Sequence, residues 1–168
     1  KVYGGPPCSL ILADNGSTDN SLKRLLDFAK KFPRQVQVVS NKNLGFSKAN
    51  NQLAALATTD YLCFLNPDIW FSQEFITPCL SVLKKQKGIV SPLVQDGKGR
   101  KLPNFSPFYE RSHFLLRKLA YRLYPLAKIQ PVDWIMGASL FVCRDEFQAL
   151  GGFDEAYFLF TEDRSEEH

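Results

Sequence analysis

Short apolar runs alternate along the chain with longer segments in which apolar residues recur every three or four positions. The runs predict buried strands, and the longer segments predict amphipathic helices. The predicted strands are 9–13, 36–40, 61–65 and 89–94, and the predicted helices between them are 21–32, 47–57 and 73–87. This βαβαβαβ order is typical of an α/β fold with a parallel sheet.

The alternation stops at about residue 95, where several glycines and prolines predict a loop over 95–110. A basic amphipathic helix is expected over 111–124, with leucines on one side and arginine and lysine on the other. This helix has two interpretations: it lies on an anionic membrane surface, or it is a solvated face above core leucines. A strand at 140–143 and a short helix at 145–150 complete the pattern.

Polar, turn-forming residues follow each of the first three predicted strands. The segments are 14–19, 41–46 and 66–68, and all three contain asparagine or aspartate. Each segment alone is equally well explained as a turn. Ligands of open parallel sheets bind beyond the carboxyl ends of the strands, so three such segments at one edge favour a polar-ligand site.

Length and composition narrow the class of protein. With 168 residues and 19.1 kDa, residues 1–168 are expected to form a single domain. A net charge of +4 is too weakly basic to favour nucleic acid as a partner. The longest apolar run, from Trp134 to Cys143, is ten residues and too short to cross a bilayer.

The four cysteines form no CxxC pair and there are only two histidines, so neither a structural zinc site nor a disulfide scaffold is expected. Cys63 and Cys143 lie in apolar runs and are predicted to be buried, reduced thiols. Reduced thiols indicate a cytoplasmic location.

Four acidic residues, at three places in the chain, are candidates for chemistry. Asp68 ends an apolar strand, where it could bind a hard divalent cation or simply make a turn beside Pro67. Glu162 and Asp163 follow an aromatic stretch, which suits a general base, although a solvated acidic tail is the alternative. Asp154, after Gly152-Phe153, is expected either to contact a sugar hydroxyl or to cap a turn.

Taken in order, these motifs resemble those of family-2 glycosyltransferases with the GT-A fold. The matching motifs, which extend over residues 9–163, are Asp14-Asn15-Gly16-Ser17-Thr18-Asp19, Asn43-Leu44-Gly45-Phe46 with Asn50-Asn51, Asn66-Pro67-Asp68, 132–139, 151–155 and 158–163. The Asn-Pro-Asp form of the metal motif is similar to the rhamnosyltransferase branch. Enzymes of that branch commonly use dTDP-L-rhamnose to build cell-surface polysaccharides.

The resemblance implies an inverting, metal-dependent sugar transfer from a nucleotide diphosphate donor. It implies nucleotide binding by Asp14, Asn15, Asn43, Gly45 and Asn50. It places Mg²⁺ or Mn²⁺ on Asp68 and Asn66, and the donor sugar and acceptor near Gly137, Ala138, Ser139 and Asp154. Asp163, with Glu162 beside it, is implied as the catalytic base.

The expected fold is a Rossmann-like, mostly parallel sheet flanked by helices, without the first strand and the C-terminal elements usual in the family. The chain is therefore expected to be truncated at both ends, with an open sheet edge that favours a homodimer. The runner-up function is an inactive fragment that binds nucleotide weakly or not at all. Expected partners are dTDP-rhamnose or, second, a UDP-sugar, and a saccharide or lipid-linked acceptor, with peripheral contact at the inner face of the plasma membrane.

Overall fold

Three strand pairs and four helices organise the described part of the chain. The computed structural model describes residues 8–70, 73–102, 104–106 and 129–158. The strands are β1 (Leu10–Asp14), β2 (Val36–Ser40), β3 (Tyr61–Leu65), β4 (Phe105–Ser106), β5 (Trp134–Ile135) and β6 (Ser139–Cys143). The helices are α1 (Ser21–Lys31), α2 (Phe46–Leu56), α3 (Ile76–Leu83), which follows a 3₁₀ turn at Gln73–Phe75, and α4 (Arg144–Ala149).

The α/β class predicted from the sequence is confirmed, with one parallel and two antiparallel pairs among these strands. β1 and β2 are parallel, whereas β3 pairs antiparallel with β6, and β4 with β5. The sequence order alone suggested that β3 would continue the parallel sheet. Within the described residues β3 pairs instead with a strand that lies about eighty positions later, and β1 and β3 share no ladder.

The predicted strand at 89–94 is wrong as a continuous element. Val90 alone forms a bridge, to Phe141, and the chain then leaves the sheet. Pro92 has no N–H to give to a ladder. The buried side chain of Asn104 takes over instead: its Nδ2 donates to the Pro92 carbonyl oxygen at 2.9 Å, and its Oδ1 accepts from Val94 N at 3.3 Å.

The ends of the predicted helix at 73–87 also differ, since the α-helix stops at Leu83 and the segment after it forms turns. The predicted helix at 111–124 lies outside the described residues. The expectation of buried cysteines at 63 and 143 is wrong for the residues as a whole, because Cys63 is exposed, Cys143 is half-buried, and Cys79 on α3 is the buried one. The thiol of Cys63 is nevertheless desolvated. Residue alternation explains this: Cys63 lies between the two buried positions of β3.

Two clusters of buried side chains cover opposite faces of the β3–β6 pair. On one face Phe64 meets Phe147 of α4 and Phe153, with ring centroids 4.9 Å apart in both cases. On the other face Cys79 and Leu83 of α3 pack with Phe141. β6 is therefore buried on both faces, whereas α1 contributes no buried residue. Among the described residues no helix is long and apolar enough to span a membrane.

Candidate active site

The side chain of Asn15 joins the carboxyl ends of β1 and β2. Its Nδ2 donates to the Gly45 carbonyl oxygen at 3.2 Å and to Asn43 Oδ1 at 3.3 Å. Its Oδ1 accepts from the backbone N–H of Leu44 at 3.0 Å. Asn43 Oδ1 also accepts from Gly45 N at 3.2 Å, so the loop that enters α2 is held by side-chain amides. The structure thus brings together Asn15, Asn43 and Gly45, which the sequence singled out separately.

Asp14 lies next to this network and is only 4% exposed. Its Oδ2 accepts a 3.3 Å hydrogen bond from Ser17 N, while its Oδ1 is buried and has no hydrogen-bond partner among the residues that the structure describes. A buried carboxylate oxygen without a partner carries a desolvation cost that a ligand's N–H or O–H donor would remove. Asp14 is therefore poised to accept a hydrogen bond from a bound molecule.

The two asparagines at 50 and 51 of α2 have different partners. Asn50 Nδ2 donates to the Phe46 carbonyl oxygen one turn earlier, at 3.0 Å. Asn51 instead reaches residues 153 and 155, over a sequence separation of more than a hundred residues. Sequence reasoning selected Asn50 as a site residue and left Asn51 without a role, although the pair was visible in the motif. The sequence does not show in which direction each side chain leaves the helix, and that direction decides which asparagine has the long-range partners.

The Asn-Pro-Asp segment after β3 lies beside residues 137–139. Asn66 N donates to the Ala138 carbonyl oxygen at 3.0 Å, and Leu65 pairs with Ser139 in the β3–β6 ladder. Ser139 is 2% exposed, and none of the described residues forms a hydrogen bond with its Oγ. Asp68 lies in the exposed turn that follows. The antiparallel register of β3 and β6 is what places these two predicted segments next to each other.

Asp68 and Asn66 supply a donor set that fits a hard divalent cation. No group of three or more histidine, cysteine, aspartate or glutamate side chains suited to a metal occurs in the described residues. Mg²⁺ at phosphate-transfer sites is commonly held by one or two carboxylates, with water and substrate phosphates as the remaining ligands. One exposed carboxylate with an amide oxygen two positions away matches that kind of site, as it does for Mn²⁺.

The loop after α4 carries Asp154 and Glu155. Asp154 Oδ1 accepts from Ala156 N at 2.8 Å, as expected if this carboxylate caps a turn. Glu155 borders a cleft of about 420 Å³, together with Leu44, Lys48, Asn51 and Gln52. The predicted base residues, Glu162 and Asp163, lie outside the described residues.

Comparison with known proteins agrees with the sequence motifs. Residues 3–133 match the model of the family described as Glycosyl transferase family 2. N-acetylglucosaminyl-diphospho-decaprenol L-rhamnosyltransferases from the CDC 1551 / Oshkosh and H37Rv strains of Mycobacterium tuberculosis are each 30% identical over 94% of this chain. Rhamnosyltransferase WbbL of Escherichia coli K12 is 26% identical over 74% of it.

The chain spans 59% of the length of the mycobacterial relatives and 53% of the length of the Escherichia coli relative. The family match covers well over half of this chain, and the motifs at the ends of β1, β2 and β3 all lie inside the matched residues. The chain therefore belongs to glycosyl transferase family 2.

Proposed function

We propose that this chain carries the donor side of an inverting rhamnosyltransferase, which moves rhamnose from dTDP-rhamnose to a saccharide or lipid-linked acceptor in cell-surface polysaccharide synthesis. The observation that carries the proposal is the buried Oδ1 of Asp14, which has no hydrogen-bond partner in the described part of the chain and lies beside the Asn15–Asn43 hydrogen-bond network. Rhamnosyl transfer is supported by the names of the relatives, two of which also specify N-acetylglucosaminyl-diphospho-decaprenol.

The nucleotide binds at the ends of β1 and β2. A nucleoside offers a base N–H and ribose hydroxyls, which match the free acceptor on Asp14. The side-chain amides of Asn15 and Asn43 are already fixed by hydrogen bonds to the loop backbone. Such preorganised groups do not need to be ordered when the ligand arrives, which lowers the entropic cost of binding.

The diphosphate lies against the segment that follows β3. Asp68, with Asn66, would hold a divalent cation there, and the cation would neutralise the charge that develops on the departing nucleotide diphosphate. The hydrogen bond from Asn66 N to Ala138 O keeps this segment beside residues 137–139. We assign Gly137, Ala138 and Ser139 to the donor sugar and the acceptor.

Asp163 takes the proton from the attacking acceptor hydroxyl, and Glu162 lies beside it in the sequence. One displacement at the anomeric carbon inverts its configuration. We expect Asp163→Asn to lower kcat by about 10²–10⁴-fold in the full chain, the range typical of a lost proton-transfer group. Glu162→Gln is the matched control and should cost much less, and equal losses in both variants would contradict this assignment.

Titration calorimetry with dTDP, UDP and GDP, each with and without Mn²⁺, tests the donor assignment. We expect Mn²⁺-dependent binding of dTDP, with UDP as the second choice. A folded chain that binds none of the three would favour the alternative of an inactive fragment.

With a lipid-linked acceptor, transfer takes place at the cytoplasmic face of the plasma membrane. The basic segment 111–124 is the candidate membrane contact, because lysine and arginine bind anionic lipid headgroups. Sedimentation with vesicles of anionic and of neutral lipid tests this contact. Binding to anionic vesicles that persists unchanged at high salt would contradict an electrostatic contact.

A further inference from the structure

The side-chain amide of Asn51 pairs with the backbone of Phe153 in both directions. Its Nδ2 donates to the Phe153 carbonyl oxygen at 2.8 Å, and its Oδ1 accepts from Phe153 N at 2.9 Å. The same Nδ2 also donates to Glu155 Oε1 at 3.1 Å. Three hydrogen bonds from one side chain thus fasten the loop after α4 to the middle of α2.

The packing around this clamp leaves little room for adjustment. A Cβ on Gly152 would lie 2.6 Å from Asn51 Oδ1, and Gly152 has a φ of +83°, a conformation that other residues rarely adopt. Phe153 itself is buried against Phe64 and Phe147. The loop therefore enters the core at the residue that Asn51 holds, and its register on α2 is set there.

A second attachment lies at the N-terminus of the same helix. Phe46 N donates to the Phe158 carbonyl oxygen at 3.0 Å, immediately after the loop of Asn43 and Gly45. Residues 152–158 are thus attached to α2 at two positions along the helix. One point is the Asn51 clamp, and the other is the loop to which we assign the nucleotide.

We propose that Asn51 is a positioning residue for sugar transfer, because it holds residues 152–158 in the register that lets Phe158 meet Phe46. The last step rests on the proposed function: Asp163 follows Phe158 by five residues, so the clamp ties the segment leading to the base to the nucleotide loop. Asparagine is needed rather than aspartate. A carboxylate at this position would lose the donor to Phe153 and would face the Glu155 carboxylate.

The kinetic test compares Asn51→Ala and Asn51→Asp in the full chain. Both should lower kcat about tenfold to a hundredfold, the cost of a misplaced catalytic group, while KM for dTDP-rhamnose stays within about threefold. Asp96→Ala is the control, since it also removes three hydrogen bonds, all accepted by the Asp96 carboxylate, but in the exposed turn at 95–101. It should leave kcat and KM unchanged. Unchanged kcat in both folded Asn51 variants would overturn the proposal.

The double variant Asn51→Asp with Glu155→Gln separates positioning from simple loss of stability. The glutamine amide can donate to the introduced carboxylate, so the side-chain pair is restored with donor and acceptor exchanged. We expect this variant to regain at least part of the kcat lost in Asn51→Asp. Recovery of thermal stability without recovery of kcat would contradict the positioning role.

Hydrogen exchange distinguishes failure of this proposal from failure of the proposed function. Without any nucleotide, Asn51→Ala should speed exchange at both Phe153 and Phe46, the amides at the two attachment points. Faster exchange at Phe153 alone would overturn the coupling. A wild-type chain that shows coupled exchange yet neither binds dTDP nor transfers rhamnose would refute the proposed function and confine Asn51 to holding the two attachment points together.

Discussion

Gly45 lies so close to Phe158 that a Cβ atom on it would be 2.5 Å from the Phe158 carbonyl oxygen and 2.8 Å from its Cδ2. Gly45 also has a φ of +79°, in the left-handed region that favours glycine. Two independent constraints therefore require glycine at the entry to α2. This contact joins the loop that follows β2 to a segment more than a hundred residues later in the chain.

Gly45→Ala is predicted to weaken Mn²⁺-dependent dTDP binding by about tenfold or more, because the loop must move away from Phe158 and would displace Asn43 and Asn15. Calorimetry measures the affinity, and thermal unfolding measures the stability. Gly99→Ala is the matched control, since Gly99 also has a positive φ, +75°, but no atom of the described residues lies within 4 Å of an added Cβ. The left-handed backbone conformation alone costs an alanine about 1–2 kcal/mol. Equal effects of the two substitutions would show that the Phe158 contact is unimportant.

Asp68→Asn is predicted to abolish the dependence of dTDP binding on Mn²⁺, because the amide supplies no charge to the cation. Calorimetry with and without Mn²⁺ measures this difference. Asp60→Asn is the control, since Asp60 is an exposed aspartate just before the opposite end of β3. If Asp68→Asn still binds dTDP in a Mn²⁺-dependent manner, residues other than Asp68 hold the cation.

Local patterns predicted most of the elements, because the side chains that define them are neighbours in the sequence. β2 and β3 have the predicted bounds, α1 differs from prediction by one residue at its C-terminal end, and α2 differs by one residue at each end. The apolar spacing of Leu22, Leu25 and Leu26 and the break at Pro33 contain that information. The strand predicted at 89–94 was wrong because Asn104, twelve residues after Pro92, replaces the ladder with side-chain hydrogen bonds.

Long-range relationships were less predictable. The motifs correctly indicated that the ends of β1 and β2 meet, since consecutive parallel strands place their carboxyl ends together. β3 pairs antiparallel with β6. The apolar alternation at Leu62 and Phe64 predicts a strand but does not show which other strand pairs with it. The Asn51 clamp likewise depends on the direction of one side chain across the fold.

The carboxyl group of Asp96, in the turn at 95–101, is predicted to make the stability of the folded chain depend on pH. Backbone and side-chain hydrogen bonds from Arg100, and a weaker one from Lys98, hold the pKa of Asp96 below its ordinary value of 3.8. A carboxyl group with a lowered folded-state pKa stabilises the fold above its unfolded pKa, and this stabilisation is lost as the pH falls through the folded pKa. Thermal unfolding should thus distinguish Asp96→Asn from wild type at pH 6, with the difference shrinking below about pH 4.

Asp27→Asn provides the comparison for Asp96→Asn, because Asp27 forms an ion pair with the exposed Lys30 on α1. An exposed ion pair of this kind contributes little to stability. We expect the difference in unfolding temperature to be smaller for Asp27→Asn at pH 6. A difference for Asp96→Asn that stays constant from pH 6 to pH 3 would contradict the ionised hydrogen-bonded turn.

Cys63 is predicted to react slowly with iodoacetamide although it is an exposed residue. Desolvation of its thiol, and then the nearby Cys79, raise the pKa of Cys63 to about 12 from an ordinary value of 9.0. Exposure controls access, but the thiolate fraction controls the reaction, and a rise of that size lowers this fraction roughly a thousandfold at pH 8. Peptide mapping should therefore show Cys63 alkylated far faster in denaturant than in the folded chain, whereas exposed Cys8 should react readily in both. Because the folded pKa is the higher one, Cys63 also stabilises the fold fully below pH 9 and progressively less between pH 9 and about 12. Equal alkylation of Cys63 and Cys8 in the folded chain at pH 8 would show that its thiol is in contact with water.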